Sequence, residues 1–314
     1  MVMKPLALQM NSFSASMEAQ LAQVLDVVRW FDLTPDQQQA LLAERAGDVR
    51  VVTAGGHVGC LPELMEQLHA LGLVALNGVG TDKVSLPMAR ARGIGVTTTP
   101  DTLADDVADL ALGLMIAVKR RIPAADAHVR AGAWPQAEMP LARKVSGSRM
   151  GIFGLGAIGS AIARRAAGFG EVGYASRSAK PVDYRHFDSL GALAEWADVL
   201  FIAAAATPDT AGAVDQAVLQ ALGPDGVLVN IARGAVVDET ALITALESGA
   251  ILGAGLDVFI DEPRVPEALR VLPNTVLTPH IASATVETRQ AMANLVLANI
   301  RAFLAGEPLV TPVT

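Results

Sequence analysis

Runs of strand character alternate with amphipathic stretches through most of the chain, the pattern of parallel strands covered by helices. Near the start, Met17, Leu21, Val24, Leu25 and Val28 recur at helical spacing and predict one helix. Thr34 followed by Pro35 reads as an N-cap with proline at the first helical position. Apolar runs at Val49–Thr53, Leu73–Leu76 and Ile94–Thr97 predict three strands, with a helix around Pro62–Ala70 between the first two. The first strand runs into Ala54-Gly55-Gly56 and the second into Asn77-Gly78-Val79-Gly80. These glycine-rich loops are either backbone cradles for an anion or ordinary tight turns, and the pattern alone leaves both open.

The longest helical pattern spans Asp101–Arg121. Its apolar residues, among them Leu103, Val107, Leu110, Leu114, Met115 and Val118, cover more than one stripe, so the helix is expected to bury two faces. Asp101 and Thr102 open it and Lys119, Arg120 and Arg121 close it, in keeping with the helix dipole. Such a helix either connects domains or pairs with a second subunit.

Next, a short strand at Arg149–Phe153 enters Gly154-Leu155-Gly156-Ala157-Ile158-Gly159, followed by a helix through Phe169. A strand, this glycine spacing and a helix together form a dinucleotide-binding fingerprint. Gly154 permits the tight turn, Gly156 lets the backbone approach a pyrophosphate, and Gly159 lets the helix lie close to the strand. Further strands are expected at Val172–Ala175, Val199–Ala203, Gly226–Ile231, Leu252–Leu256 and Thr275–Leu277. With Arg149–Phe153 they make six, the number in a complete doubly wound nucleotide fold. The nucleotide domain therefore starts in the middle of the chain. Its expected extent is 100–281, with the other domain assembled from 1–99 and 282–314.

Composition narrows the function classes. A chain of 314 residues, 52% hydrophobic and 18% charged, is long enough for two domains and too apolar for disorder. The net charge of −8 offers no basic field for a polyanion, so nucleic acid is not an expected partner. Cys60 is the single cysteine, no Cys/His cluster has zinc-ligand spacing, and no metal is expected. This suits a reducing, cytoplasmic location. The longest apolar runs, Leu110–Val118 and Val199–Ala206, fall well short of the ~20 residues of a membrane span, so no membrane partner is expected. The first residues lack a signal-peptide pattern, and the mature protein is expected to start near Met1.

The strand ends carry the candidate chemistry, because ligands of open α/β sheets bind at the carboxyl edge. Arg233 follows the strand ending at Ile231, Asp257 and Glu262 follow Leu252–Leu256, and His280 follows Thr275–Leu277. An arginine can grip a carboxylate and polarise a neighbouring carbonyl, and a histidine can give that carbonyl a proton as hydride arrives. A carboxylate beside the histidine favours the imidazolium, the role expected of Glu262 toward His280. Of the other histidines, His57 lies in a glycine-rich loop, while His69, His128 and His186 read as helix-face or surface residues. Where an NAD-binding domain usually carries an acid, this chain reads Tyr174-Ala175-Ser176-Arg177-Ser178, then Lys180. Arginine pairs with a 2′-phosphate that a carboxylate would repel, so NADP (NADPH) is the expected cofactor, with NAD the weaker alternative. The competing reading makes Arg177 a solvated charge beside an unselective site.

In their order and separations, GLGAIG, NIARGAVVDE, GLDVFIDEP and LTPHIASAT resemble the D-isomer-specific 2-hydroxyacid dehydrogenases. Through YASRSAKP, NGVGTDKV, TPDTLADDVADLALGLM and PLVTPV the chain is most similar to the NADP-dependent glyoxylate/hydroxypyruvate reductases of that family. The resemblance covers the chain from about Val49 onward. It implies an α/β fold of two Rossmann-like domains, doubly wound with mostly parallel sheets, the nucleotide-binding one inserted in a flavodoxin-like substrate domain.

For the site, the resemblance implies that Arg233 binds the substrate carboxylate, His280 is the proton donor and Glu262 is its carboxylate partner. Val58, Gly59, Val79, Gly80 and Ser283 would line the substrate cleft. Ala157 and Ile158 would sit with Gly154, Gly156 and Gly159 on the pyrophosphate loop, and Ser176, Arg177 and Ser178 would surround the 2′-phosphate. Ala205, Ile231, Asp257 and Ala282 would lie along the rest of the cofactor. The partners implied are a small 2-oxo or 2-hydroxy acid and a second copy of the chain, joined through the Asp101–Arg121 helix region, which would cover that helix's second face.

Two departures from the family pattern stand out. Ala157 replaces a basic residue common among relatives, and the loop Gly55-Gly56-His57-Val58-Gly59-Cys60 replaces a small hydroxyl-bearing one. His57 there either meets a substrate hydroxyl or faces solvent. Two other readings remain: a dehydrogenase for another, bulkier or phosphorylated 2-oxo acid, for which Lys83 is the only obvious extra cation, and a nucleotide-sensing binding protein on the same scaffold.

Overall fold

The structure, a computed structural model, describes residues 3–314; the expected start at Met1 lies outside them. In chain order the elements are β1 (Leu6–Gln9), α1 (Ala15–Val24), β2 (Asp26–Arg29), α2 (Pro35–Arg45), β3 (Val49–Gly55), α3 (Pro62–Gln67), β4 (Leu73–Asn77), α4 (Leu86–Ala91) and β5 (Gly95–Thr97). There follow α5 (Ala104–Arg120), α6 (Ile122–Arg130), β6 (Met150–Phe153), α7 (Ala157–Ala166), β7 (Val172–Ala175), β8 (Arg185–Phe187), α8 (Leu190–Trp196) and β9 (Val199–Ile202). The remainder is α9 (Gln216–Leu222), β10 (Val227–Asn230), α10 (Glu239–Glu247), β11 (Gly253–Leu256), α11 (Glu267–Val271), β12 (Thr275–Leu277) and α12 (Val286–Ala305).

The chain divides into two compact units. One ends at Leu103 and resumes at Thr285; the other runs Ala104–Ala284. The switches fall a few residues beyond 99 and 281 because side chains tie the crossing segment to the first unit. Thr102 Oγ1 donates to Thr99 O at 2.9 Å and Thr288 Oγ1 donates to Thr102 O at 3.2 Å.

In the first unit five parallel strands lie in the order β2-β1-β3-β4-β5, the flavodoxin-like arrangement. Two of these strands correct the sequence reading. The apolar series Met17–Val28 is not one helix: α1 buries Met17 and Leu21, Leu25 turns extended, and Val27 and Val28 belong to β2. β1 is buried along all four residues and so has no alternation to betray it. Cys60 is buried beside β3, and burial pushes its thiol up to about 12, which leaves it inert as a nucleophile.

The second unit has seven parallel strands, β12-β11-β10-β9-β6-β7-β8, rather than the expected six. Apart from the added edge strand β12, this is the doubly wound nucleotide order, with its switch point between β6 and β9. β8 escaped the sequence reading because Arg185-His186-Phe187 is short and mostly polar. The long helix also differs. Asp101 has a left-handed φ of 60°, so the helix begins at Ala104, and past Arg121 a separate helix, α6, follows. α5 does bury two faces, with Val107, Ala111, Leu114 and Val118 on one and Ala108, Leu112 and Met115 on the other. Both are covered within the same unit: α7 takes one, with Arg165 reaching Asp105 and Asp109 at 2.9 and 2.5 Å, and the sheet takes the other, with Leu114 and Val118 against Gly255 and Gly253 of β11, so a second copy is not what buries that face. No helix among the described residues is long and apolar enough to cross a membrane.

Candidate active site

β6 leads into the glycine turn. Gly154 adopts φ +95°, and a Cβ there would come within 2.6 Å of the Ala204 backbone. A Cβ on Gly159 would collide with Gly154 O, so α7 can lie this close only with glycine at that position. Gly156, by contrast, faces open space and N-caps the ten-residue α7 without any side-chain capping bond. The first N–H groups of α7, around Ala157 and Ile158, are therefore left for an anion. Ala205 is exposed beyond β9, its carbonyl accepting from Thr210 Oγ1 at 2.6 Å, and Ile231 is buried at the end of β10. These residues fit a dinucleotide, whose pyrophosphate needs the uncapped helix end and the side-chain-free approach at Gly156.

β7 ends at Ala175 with no acid. Ser176 Oγ donates to Ser178 O at 2.7 Å inside a turn, and Arg177 is exposed and engages no carboxylate among the described residues.

At the other strand ends the structure brings His280 and Glu262 together. His280 Nδ1 and Glu262 Oε2 lie 2.6 Å apart, and Glu262 Oε1 accepts the Phe259 N–H at 3.0 Å. A carboxylate can only accept, so Nδ1 carries the proton and Nε2 is directed away from the pair. His280 sits at φ 53°, a strained region for histidine, and Asp257 holds it there. Fully buried, Asp257 accepts from Thr278 Oγ1 at 2.6 Å, Ile281 N at 2.8 Å and Ala282 N at 2.9 Å, and its own carbonyl takes the His280 N–H at 2.9 Å. Burial pushes its carboxyl above the ordinary value, against the pull of these donors and of His280.

Arg233 is half-buried on the loop after β10, its Nη1 donating to Ala232 O at 2.7 Å. Asn230, which sequence reasoning missed, shapes that loop: its Oδ1 accepts from Ala232 N at 3.1 Å and its Nδ2 donates to Arg233 O at 2.9 Å. An asparagine closing an apolar strand was the available signal. A Cβ on Gly234 would collide with the backbone of Phe259 and Ile260, so this glycine lets the arginine loop lie against the segment that carries Glu262. Ser283 is half-buried just beyond His280.

Val58, Gly59, Val79 and Gly80 form a separate cluster in the first unit. The two loops touch backbone to backbone, an added Cβ on Gly56 reaching Gly80 O at 3.0 Å. Val79 is exposed, Val58 and Gly80 are half-buried and Gly59 is buried with φ +63°. His57 is exposed with its ring over Gly55, 2.8 Å from where a Cβ would stand. Of the remaining histidines, His69 is exposed and His128 lies half-buried on α6, both as expected, but His186 is on β8 with Nε2 buried, a correction to its surface reading.

A doubly wound sheet with an uncapped glycine turn and a His-Glu pair on its carboxyl edge defines an NAD(P)-dependent oxidoreductase. Residues 112–282 match the family described as D-isomer specific 2-hydroxyacid dehydrogenase, NAD binding domain, and the chain belongs to that family. It is 50% identical over 285 residues to a 2-ketogluconate reductase of Gluconobacter oxydans, covering 90% of this chain and 92% of the relative. With a hydroxyphenylpyruvate reductase of Plectranthus scutellarioides it shares 46% identity over 98% of each chain. Among solved structures, an NADPH-dependent glyoxylate/hydroxypyruvate reductase from Sinorhizobium meliloti, in complex with NADP and malonate, superposes with a TM-score of 0.89 at 40% identity, covering 99% of this chain and 97% of that one.

Proposed function

We propose that the chain reduces a small 2-oxo acid, with glyoxylate and hydroxypyruvate as the first candidates, to the D-2-hydroxy acid using NADPH. The 2.6 Å pairing of His280 with Glu262 carries the reading. Gly154–Gly159, Ile231 and Ala282 would hold the cofactor, which when bound would supply a hydride for the carbonyl carbon. Arg233 holds the substrate carboxylate and draws electron density from the carbonyl. His280 Nε2 passes its proton to the carbonyl oxygen, giving the hydroxyl, and is reprotonated from solvent. Glu262 fixes the Nδ1–H tautomer and offsets the imidazolium charge. Val58, Gly59, Val79, Gly80 and Ser283 complete the substrate site, and Ala205 and Asp257 the cofactor site. On this reading the Ala104–Ala284 unit is the nucleotide domain and the other unit the substrate domain.

NADPH consumption followed by its absorbance, with a panel of 2-oxo acids from glyoxylate to sugar-derived and aromatic ones, tests this. Turnover is expected with at least one small acid. No turnover with any would leave a nucleotide-sensing binding protein, and a marked preference for a long acid would favour the longer substrates named in the relatives.

Ser176, Arg177 and Ser178 receive the 2′-phosphate. Reversing the charge with R177D is expected to lower kcat/KM for NADPH by about a hundredfold, roughly two charge-assisted contacts, and to leave NADH within about threefold. An unchanged NADPH:NADH ratio would place the 2′-phosphate elsewhere.

The protein is proposed to act as a cytoplasmic homodimer. Ile122, Val129, Trp134 and Leu141 are all exposed on and just after α6, Leu141 at 97%, and they supply an apolar surface contiguous in sequence with α5. Sedimentation as a monomer at micromolar concentration would overturn this.

A further inference from the structure

We propose that Tyr174 is a positioning residue for the 2′-phosphate: its hydroxyl closes the Ser176–Lys180 turn that presents Arg177, and so sets the preference for NADPH over NADH. The inference rests on the nucleotide reading above.

Tyr174 stands on β7, fully buried at 1% exposure, where a phenol needs a partner for its hydroxyl. That partner is the backbone of Lys180, six residues on. The Lys180 N–H donates to Tyr174 Oη at 2.7 Å, and Oη in turn reaches Lys180 O at 3.4 Å. The chain thus leaves the strand at Ala175, passes through Ser176, Arg177 and Ser178, and is brought back onto the strand's own tyrosine. Its other end is equally fixed, since Gly154 N–H donates to Ala175 O at 2.9 Å and joins the turn to the pyrophosphate loop. Within the turn, Ser176 Oγ bonds Ser178 O.

The ring that anchors all this is itself held. His186 lies directly opposite Tyr174 in the β7–β8 register, with ring centroids 5.1 Å apart and planes tilted by 51°. Strand β8 therefore supports the tyrosine. No other side chain among the described residues bonds the Lys180 backbone. Without Oη the far end of the turn loses its tie to the sheet, and Arg177 would have to be ordered by the cofactor, at a cost in affinity that a preorganised turn avoids. The pyrophosphate would instead meet the N-terminus of α7, outside the Ser176–Lys180 turn, so the loss should fall on the 2′-phosphate.

The test compares Y174F with wild type in calorimetric binding of 2′,5′-ADP and of 5′-AMP, fragments that differ by the 2′-phosphate. Phenylalanine keeps the ring and its packing against His186. For wild type, 2′,5′-ADP is expected to bind more tightly than 5′-AMP. In Y174F the affinity for 2′,5′-ADP should fall about three- to tenfold, the effect of one lost hydrogen bond, with 5′-AMP unchanged. In kinetics the KM for NADPH should rise while that for NADH holds. A wild-type protein without preference between the fragments would overturn the NADPH reading itself. A wild-type preference that Y174F retains, or a variant that loses both fragments equally, would overturn the role of Tyr174 and leave that reading standing.

Discussion

His280→Ala is expected to lower kcat by about a hundredfold to ten-thousandfold, the range that removal of a positioned general acid produces, while the dissociation constant for NADPH stays within about twofold. The argument is geometric. Glu262 binds Nδ1 at 2.6 Å and so fixes the orientation of the imidazole; on the proposed mechanism Nε2 is the nitrogen that serves the substrate. The three donors converging on Asp257 hold the backbone at φ 53°, and His280 is the only titratable side chain between β12 and α12. Alanine tolerates a left-handed φ poorly, so His280→Asn, which suits that region better, is the companion variant. Both should lose kcat alike if the proton donor is what matters. Recovery of kcat in the asparagine variant would instead show that the loop's shape, and not its imidazole, was being measured.

Much of this centre was legible because its residues are tied to local signals. The fingerprint Gly154–Gly159 lies between a strand and a helix, and the steric collisions that a Cβ would cause at Gly154 and Gly159 are the physical content of that spacing. Arg233, Glu262 and His280 each follow an apolar run, and a parallel sheet delivers all such ends to one edge. Other parts left weaker traces. β1 is buried on both faces and four residues long, β2 continues the apolar spacing of α1, and β8 is an edge strand of polar composition. In each, pairing with a neighbouring strand stabilises what the local pattern does not announce. The same holds for Asn230 and Tyr174. Their roles rest on hydrogen bonds to the backbone of Arg233 and Lys180, and neither residue type carries such a role by itself.

On the proposed function, Arg233 is the residue that would separate recognition of the acid from the chemistry on its carbonyl. The Arg233→Leu variant is expected to lose about a thousandfold in kcat/KM for glyoxylate, which corresponds to about 4 kcal/mol and to two charge-assisted hydrogen bonds to one carboxylate. Lysine restores the charge without the planar fork, so Arg233→Lys should recover part of the loss and no more. The loop is expected to keep its shape, because Asn230 binds the backbone of residue 233 and that contact does not depend on the side chain, although the Nη1 bond to Ala232 O is lost. The decisive comparison is a carbonyl substrate with no carboxylate, such as a simple aldehyde. Its slow reduction gains nothing from a carboxylate-binding arginine, so wild type and Arg233→Leu should differ by at most the smaller factor due to carbonyl polarisation. Equal losses on the acid and the aldehyde would assign Arg233 to the reacting carbonyl alone, and the carboxylate would then be held by another group.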